Sequence, residues 1–211
     1  AVAEQARAEG SSCPPVSEAD SSEGWSRLGE SDVRALRERG RVHVAVGGEG
    51  SSAGRRPRYV TVLRIAGNLS VERSGGLRAV DAVCFHAGGP LGNGDIEQVG
   101  EQRRLCIKCP WHDYLIDLDT GEKWHQQLQQ DDVGRLVPTG WKNSGQAKQR
   151  VHDVEEVDGD VWVRLRLGGS CESDWWAHNQ DCLAALGLDA VESDARPEPE
   201  VASKRGRVDG V

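Results

Sequence analysis

The stretch CFHAGGPL at residues 84–91 and the shorter stretch CPWH at residues 109–112 decide how this chain is interpreted. Each offers one cysteine thiolate and one histidine imidazole, the donor types that bind transition metals. The four candidate ligands are Cys84, His86, Cys109 and His112. Because glycine allows close backbone approach and proline fixes a turn, the flanking residues suit two loops closing on a bound group. The two stretches therefore predict a metal centre held between two loops.

Two kinds of centre use this donor set. In a [2Fe–2S] cluster with mixed ligands, two Cys hold one iron and two His hold the other, which raises the reduction potential. A Cys2His2 zinc site takes the same donors around one ion, and the C-x-x-C pair of Cys106 and Cys109 could serve zinc or redox chemistry. A C-x-H pair is unusual in zinc fingers, and Gly-Gly-Pro is not needed there. Zinc is therefore the less favoured alternative.

The two stretches resemble the Rieske iron–sulfur family, whose pattern is C-x-H, a spacer and C-x-x-H. The resemblance covers about residues 24–168, and in particular the chain resembles the soluble Rieske-domain-containing ferredoxins of eukaryotes. Further stretches that carry it are GDIE at 94–97, TGE at 120–122, QRVH at 149–152 and CESD at 171–174. The resemblance implies one [2Fe–2S] cluster, with Cys84 and Cys109 on the inner iron and His86 and His112 on the outer, more exposed iron.

The chain departs from the Rieske proteins of cytochrome complexes at defined positions. Those proteins carry an extra Cys in each ligand stretch, joined as a disulfide, where this chain has Gly89 and Trp111. They also have a Ser and a Tyr that donate to the cluster sulfurs, where this chain has Tyr114 and Ile116. Since isoleucine cannot donate, we expect a potential in the lower part of the range from about −150 to +300 mV.

Strand patterns dominate the rest of the sequence. Predicted strands are 41–46, 59–65, 69–73, 77–83, 105–107, 114–118, 149–157 and 160–167. Asp158-Gly159 predicts a two-residue hairpin turn. A helix is expected over Asp32–Arg39 with Ser31 as N-cap, and another over Ser173–Leu186, whereas 87–104 is expected to be a long loop. The fold class is therefore all-β, and the resemblance implies the Rieske fold, an antiparallel β-sandwich base with a small cluster-binding subdomain.

The expected domain organisation has one folded unit between two tails. Residues 1–22 and 190–211 have the polar, Pro- and Glu-rich composition of disordered segments. A Rieske domain is expected over 23–168, with its cluster-binding part at about 82–120. A short C-terminal extension is expected over 169–189.

Charge and hydropathy exclude two classes of partner. The formal net charge is −8 and the pI is about 5.3, with no basic stripe of the kind that binds nucleic acid. No run of about 18 apolar residues predicts a membrane span, and no signal-peptide pattern occurs. These features favour a soluble, cytoplasmic monomer. An organelle stays open, because the chain has no Met and a targeting segment could have been removed.

The favoured function is electron transfer without a substrate. A Rieske oxygenase needs a second domain with a mononuclear iron held by two His and a carboxylate. After His112 the chain has only His125, His152 and His178, and no second domain fits there. We therefore expect not an enzyme but a soluble ferredoxin carrying single electrons between a reductase and an acceptor enzyme. The alternatives are a small cluster-bearing subunit of a larger oxidoreductase or oxygenase and, less favoured, a structural zinc module.

Several other residues receive no functional role from the sequence. Cys106 is expected to be a spare buried thiol, and His43 an ordinary sheet residue. Trp111 is expected to shield the cluster or fill the core, and Pro138 is a candidate cover for the cluster. The pair Trp175-Trp176 is expected to pack against the sheet rather than form a docking patch. No role is assigned to His125, His152, His178, Cys13, Cys171 or Cys182.

Overall fold

The computed structural model describes residues 24–47, 56–65 and 76–188, in which β-strands dominate. The strands are β1 (Trp25–Arg27), β2 (Arg41–Val46), β3 (Arg58–Arg64), β4 (Leu77–Asp81), β5 (Asp95–Val99), β6 (Arg104–Lys108), β7 (Leu115–Asp117), β8 (Glu122–Gln130), β9 (Leu136–Ala147), β10 (Val151–Val157) and β11 (Asp160–Arg164). Two α-helices, α1 (Glu30–Arg39) and α2 (Gln180–Ala185), and two 3-10 turns, Leu91–Asn93 and Glu172–Trp175, complete the described elements.

The strands form two antiparallel sheets. A six-stranded sheet has the order β1-β11-β10-β4-β3-β2, and a five-stranded sheet has the order β5-β6-β7-β8-β9. The first candidate ligand stretch leaves the end of β4 in the larger sheet, and the second connects β6 to β7 in the smaller one. The sheets therefore carry one ligand stretch each, and the all-β prediction is confirmed.

Strand β3 shows how the core is built. Its side chains alternate between two faces, so Val60 and Val62 join the apolar cluster beneath α1, whereas Leu63 joins a second cluster. This second cluster contains side chains from both sheets, including Ile107 of β6 and Ile116 of β7. It also contains Cys84, Phe85, Leu91 and Cys109. The candidate metal centre thus stands on the apolar contact between the sheets.

Both helix predictions need correction. Helix α1 begins at Glu30 with Gly29 as its N-cap, so Ser31 lies in the first turn instead of capping it. The expected helix over 173–186 is divided into a 3-10 turn and α2. The extended backbone of Asn179 interrupts it, and this side chain accepts the N–H of Cys182 and starts the second part.

The five-stranded sheet accounts for the other differences. The expected loop over 87–104 contains β5, which pairs antiparallel with β6. The residues of β5 are mostly polar, so no apolar alternation marks this strand in the sequence. The hairpin of β8 and β9 has no counterpart in the sequence pattern, because most of its side chains are exposed and no apolar alternation marks it. By contrast, the Asp158-Gly159 turn is confirmed, with φ of 52° and 86°.

Some expectations lie outside the described residues. These are the tails 1–22 and 190–211, the strand 69–73 and Cys13. The expected limits of the domain and its extension stay predictions. Within the part of the chain that the structure describes, no helix has the length and apolar character needed to cross a membrane.

Candidate metal centre

The first ligand stretch forms a tight loop after β4. The backbone N–H of Cys84 donates to the carbonyl of Gly89 at 2.8 Å, and the N–H of Gly88 donates back to the carbonyl of Cys84 at 3.1 Å. Gly88 has a φ of +70°, a conformation that side chains rarely adopt. The loop buries Cys84, which is 1% exposed, and turns His86 to the surface.

The second ligand stretch is a turn between β6 and β7 that closes on itself. The N–H of Cys109 donates to the carbonyl of Tyr114 at 2.8 Å, and the N–H of Asp113 donates to the carbonyl of Cys109 at 2.9 Å. The backbone N–H groups of Trp111 and His112 are directed at the Cys109 sulfur. Cys109 is 1% exposed, whereas His112 is exposed. Each loop therefore places its thiol inside and its imidazole outside.

The structure brings the four predicted residues together as two pairs. The thiols of Cys84 and Cys109 are close enough for each to change the pKa of the other. The rings of His86 and His112 have centroids 4.8 Å apart and are nearly perpendicular. A buried pair of sulfur donors thus lies beside an exposed pair of nitrogen donors.

The two thiols differ in acidity. The hydrogen bond from Cys84, helped by the backbone N–H groups of Trp111 and His112, lowers the pKa of Cys109 to about 6. The same contact with Cys109, together with burial, raises the pKa of Cys84. This lowered pKa favours the thiolate of Cys109, which is the form of cysteine that binds metal.

Aromatic and cationic side chains surround the imidazoles. The ring of Tyr114 lies 4.3 Å from that of His86, measured between centroids, and the Lys123 ammonium lies 3.9 Å from the centre of the Tyr114 ring. Slight burial, followed by the charges of His112 and Lys123, lowers the pKa of His86. A lowered pKa favours the neutral imidazole, which is the form that binds metal.

Gly89 and Trp111 are in contact across the two loops. A Cβ atom at Gly89 would lie 3.0 Å from the Trp111 ring and 3.2 Å from the Cys109 sulfur, so a larger residue would displace one of them. The indole of Trp111 is 50% exposed. Trp111 is therefore not a core residue. Its indole covers the junction of the two loops. The Rieske proteins of cytochrome complexes have a disulfide at this position.

Gln149 is a supporting residue that the sequence did not single out. Its buried amide accepts the N–H of Phe85 at 2.8 Å and donates to the carbonyls of Val83 and Asp81 at 2.7 and 3.2 Å. It therefore binds the backbone on both sides of Cys84. Gln149 stands in the sequence only as part of the resembling stretch QRVH, and its supporting role is not visible there because Phe85 lies 64 residues away.

A second supporting group lies at the base of the first loop. Asp81 is buried at the end of β4 and accepts hydrogen bonds from Arg58 Nε at 2.6 Å, Ser173 Oγ at 2.6 Å and His152 Nε2 at 3.1 Å. The sequence named no acidic partner for His152, because Asp81 lies 71 residues away. Burial alone would raise the pKa of Asp81, but the hydrogen bonds from Arg58 and His152 outweigh it and lower that pKa.

The other cysteine, histidine and proline residues named from the sequence lie away from the ligand loops or make contacts of a different kind. Cys106 is buried within β6, as expected, and burial raises its pKa to about 12. His43 lies in β2 and contacts Thr61 and Asn93. Pro138 lies in strand β9 opposite Leu128 and not in a loop, and its role as a cover for the cluster stays a prediction. The remaining placements are His125 exposed on β8, His178 beside Pro57, Cys171 before the last 3-10 turn and Cys182 buried in α2.

The donor set can be tested against the two kinds of centre. Among the described residues, no three His, Cys, Asp or Glu side chains form a group that could hold a single metal ion. Two separate pairs, one of thiols and one of imidazoles, match a [2Fe–2S] cluster in which each iron takes one pair. A zinc ion instead takes four donors around one point. The residues present therefore fit the two-iron cluster.

Known proteins resemble this chain over the region of both loops. The family model of soluble Rieske-type ferredoxins matches residues 44–167. A human Rieske domain-containing protein is 40% identical over 104 residues, which are 49% of this chain and 63% of that protein. The chain thus spans less than two thirds of that relative.

Two solved structures are similar to this chain at low identity and low TM-score. One, from Mycobacterium tuberculosis, is provisionally assigned as an NADH-dependent nitrite reductase small subunit; it is 15% identical, with 68% of this chain and 96% of that chain covered and a TM-score of 0.38. The other is the ferredoxin of carbazole 1,9a-dioxygenase from Nocardioides aromaticivorans IC177, 21% identical, with 59% and 99% covered and a TM-score of 0.32. Since the family model covers more than half of the sequence, this chain belongs to the soluble Rieske-type ferredoxins.

Proposed function

We propose that this protein carries single electrons between a reductase and an acceptor enzyme, using one [2Fe–2S] cluster. Cys84 and Cys109 would hold the inner iron, and His86 and His112 the outer iron. The observation that carries the proposal is the pair of buried thiols beside a pair of exposed imidazoles. Rieske-type ferredoxins are electron carriers and not enzymes themselves, which agrees with a centre that has no substrate.

The bound cluster would supply reversible one-electron chemistry, and the chain would decide where the electron leaves. Cys84 and Cys109 face the apolar contact between the sheets, which keeps water from the sulfur side. His86 and His112 stand at the surface, beside the exposed Pro110 and Trp111. A partner that docks on these four residues would come closest to the cluster. We infer that electrons enter and leave through the imidazole side.

One observation favours the second candidate, a small subunit of a larger oxidoreductase. The distal part of the β8–β9 hairpin exposes Leu128, Val133 and Leu136, large apolar side chains that a stable partner would cover. Size-exclusion chromatography of the purified chain, alone and with extract of its native cell, separates the two candidates. A carrier elutes alone, whereas a subunit elutes in a defined larger complex.

The proposed cluster is tested by electron paramagnetic resonance of the dithionite-reduced protein, with iron, sulfide and zinc assays on the same sample. We expect two irons and two sulfides per chain and an anisotropic signal with the low average g of a His-ligated [2Fe–2S] cluster. One zinc per chain with no signal would overturn the electron-carrier proposal.

A matched pair of variants tests the ligand assignment. Cys109→Ala removes a proposed ligand and should abolish the cluster signal. Cys106→Ala removes a buried thiol three residues away in the same C-x-x-C pair and should keep two irons with the wild-type signal. Loss of the cluster from the Cys106 variant, with retention in the Cys109 variant, would contradict the assignment.

A further inference from the structure

Residues 171–188 follow the six-stranded sheet and lie outside the part of the chain that matches the family model. They form the 3-10 turn Glu172–Trp175 and helix α2. The proposed function gives these residues no role, because none of them is a proposed ligand. Their contacts nevertheless converge on the first ligand loop.

The segment meets the loop at Gly88, which comes after the two proposed ligands Cys84 and His86. A Cβ atom at Gly88 would lie 2.5 Å from Asn179 Nδ2 and 2.9 Å from Trp176 Cε3. Both distances are too short for a methyl group, so Trp176 and Asn179 pack directly against the backbone of Gly88. Trp176 and Asn179 thus occupy the space beside Gly88.

The same segment also contacts both ends of the loop. Cys182, Leu183 and Leu186 share an apolar cluster with Ala82 and Val83, which immediately precede Cys84. Beyond the loop, the Asn93 side chain donates to the carbonyl of Ala185 at 3.3 Å. The segment thus contacts residues before, within and after the first ligand loop.

Charged hydrogen bonds fix the segment in this position. Arg150 donates from Nε and Nη2 to the two carboxylate oxygens of Asp174, at 2.6 and 2.7 Å. Ser173 is buried and donates to Asp81 at 2.6 Å. Two-point arginine–carboxylate contacts constrain orientation as well as distance. These bonds attach the beginning of the segment to Arg150 and Asp81, so the segment can act as a rigid support for the loop.

We propose that residues 171–188 are a positioning element of the cluster site, with Trp176 and Asn179 as the residues that hold the loop through Gly88. This inference rests on the proposed function, because it assigns a role toward the same cluster. Cys84 and His86 lie four and two residues before Gly88. Movement of the loop at Gly88 therefore changes the position of one sulfur and one nitrogen donor together.

Two neighbouring tryptophans provide a matched test. Trp176→Ala removes the ring that contacts Gly88, whereas Trp175→Ala removes an indole that is 82% exposed. In the 211-residue chain loaded with iron and sulfide, we would measure iron release to excess EDTA and the g values of the reduced protein. For Trp176→Ala we expect release about tenfold faster, the scale seen when groups that support metal ligands are removed, and altered g values. Trp175→Ala should behave as the wild type.

A second variant keeps the test decisive if Trp176→Ala does not fold. Asn179→Asp retains the side-chain oxygen that caps Cys182 and replaces the nitrogen that faces Gly88. It should also release iron faster and alter the g values. Wild-type release and g values in the folded variants would overturn the inference while leaving the proposed function intact. A wild-type protein without iron and sulfide would instead refute the proposed function.

Discussion

The two ligand loops have the same proposed task but are supported in opposite ways. In the first loop, residues 84–91, most side chains are buried and the backbone is held by Gln149 and by the C-terminal segment. In the second loop, residues 109–114, only Cys109 is buried and the hydrogen bonds run between near neighbours. One histidine is therefore positioned by distant tertiary contacts and the other by a local turn.

This difference predicts where substitutions will have large effects. Substitutions that remove support from the first loop should destabilise the whole folded domain, because the supporting residues are buried and lie far apart in sequence. Damage to the second loop should stay local, since its supporting bonds are made by residues 109–114 themselves. Four substitutions test this comparison.

The largest effect is expected for Asp81→Asn at the base of the first loop. The change removes the charge of one of the two carboxylates paired with the buried Arg58, the other being Asp174, and breaking a buried ion pair costs up to about 3–5 kcal/mol. Urea unfolding should show a loss of this size. Asp160→Asn, which breaks an exposed pair with Arg27, should cost about 1 kcal/mol or less. Equal losses of unfolding free energy in the two variants would contradict a stabilising role for the buried Asp81–Arg58 pair.

The Asp81 contribution also has a defined pH dependence. Its folded pKa lies below the ordinary value, so its stabilising effect is complete above the unfolded pKa of about 3.9 and is lost as the pH falls through the folded pKa. The difference in unfolding free energy between wild type and Asp81→Asn should therefore shrink below about pH 4. A difference that stays constant down to pH 2 would show that this carboxylate titrates normally.

A smaller loss is expected for Gln149→Leu, which removes the side chain that spans Cys84. The N–H of Phe85 and the carbonyl of Val83 would lose their partner, and each unpaired buried group costs about 1–3 kcal/mol. We expect a loss of about 3 kcal/mol in urea unfolding. Gln146→Leu, an exposed change on β9, should stay near the wild type. A stable Gln149 variant would show that the loop does not need this support.

The second loop should tolerate the loss of its largest side chain. Trp111→Ala removes a half-exposed indole that covers Gly89, and we expect a loss of about 1 kcal/mol or less. The same unfolding measurement decides the result. A loss greater than that of Gln149→Leu would reverse the comparison between the loops.

The smallest effect is expected for a charge near the imidazoles. Lys123→Gln removes a positive charge that acts on His86. Because a nearby positive charge disfavours the oxidised, more positive form of the cluster, its removal should stabilise that oxidised form. The midpoint potential should fall by roughly 10–30 mV, the scale of a solvent-screened charge several ångströms away. Lys142→Gln, exposed on β9, is the control and should leave the potential unchanged. A rise in potential on loss of Lys123 would contradict this account.

The sequence could predict the local features of this comparison. The two ligand stretches are short, and the Asp158-Gly159 turn depends on adjacent residues alone. The all-β class followed from strands such as β2, whose alternation marks one buried face. Local patterns of this kind locate the proposed ligands and place them on loops.

Tertiary features were beyond the sequence for physical reasons. Gln149 acts through backbone groups 64 to 68 residues away, and Trp176 meets Gly88 through shape rather than through any motif. The β8–β9 hairpin is exposed, so it lacks the periodic burial that reveals a strand. The expected single helix over 173–186 missed the cap at Asn179, which depends on one side-chain hydrogen bond.

The packing of Trp176 and Asn179 on Gly88 has a consequence for biosynthesis. A ribosome makes this chain from the N-terminus, so Cys84 and Cys109 emerge long before the residues that complete the first loop. The second loop can take its shape as soon as it leaves the exit tunnel, because its bonds are local. The first loop gains its contacts with Trp176 and Asn179 only after those residues have been synthesised. If the proposed function and the positioning role of this segment hold, delivery of the cluster to a correctly shaped site follows translation of the domain.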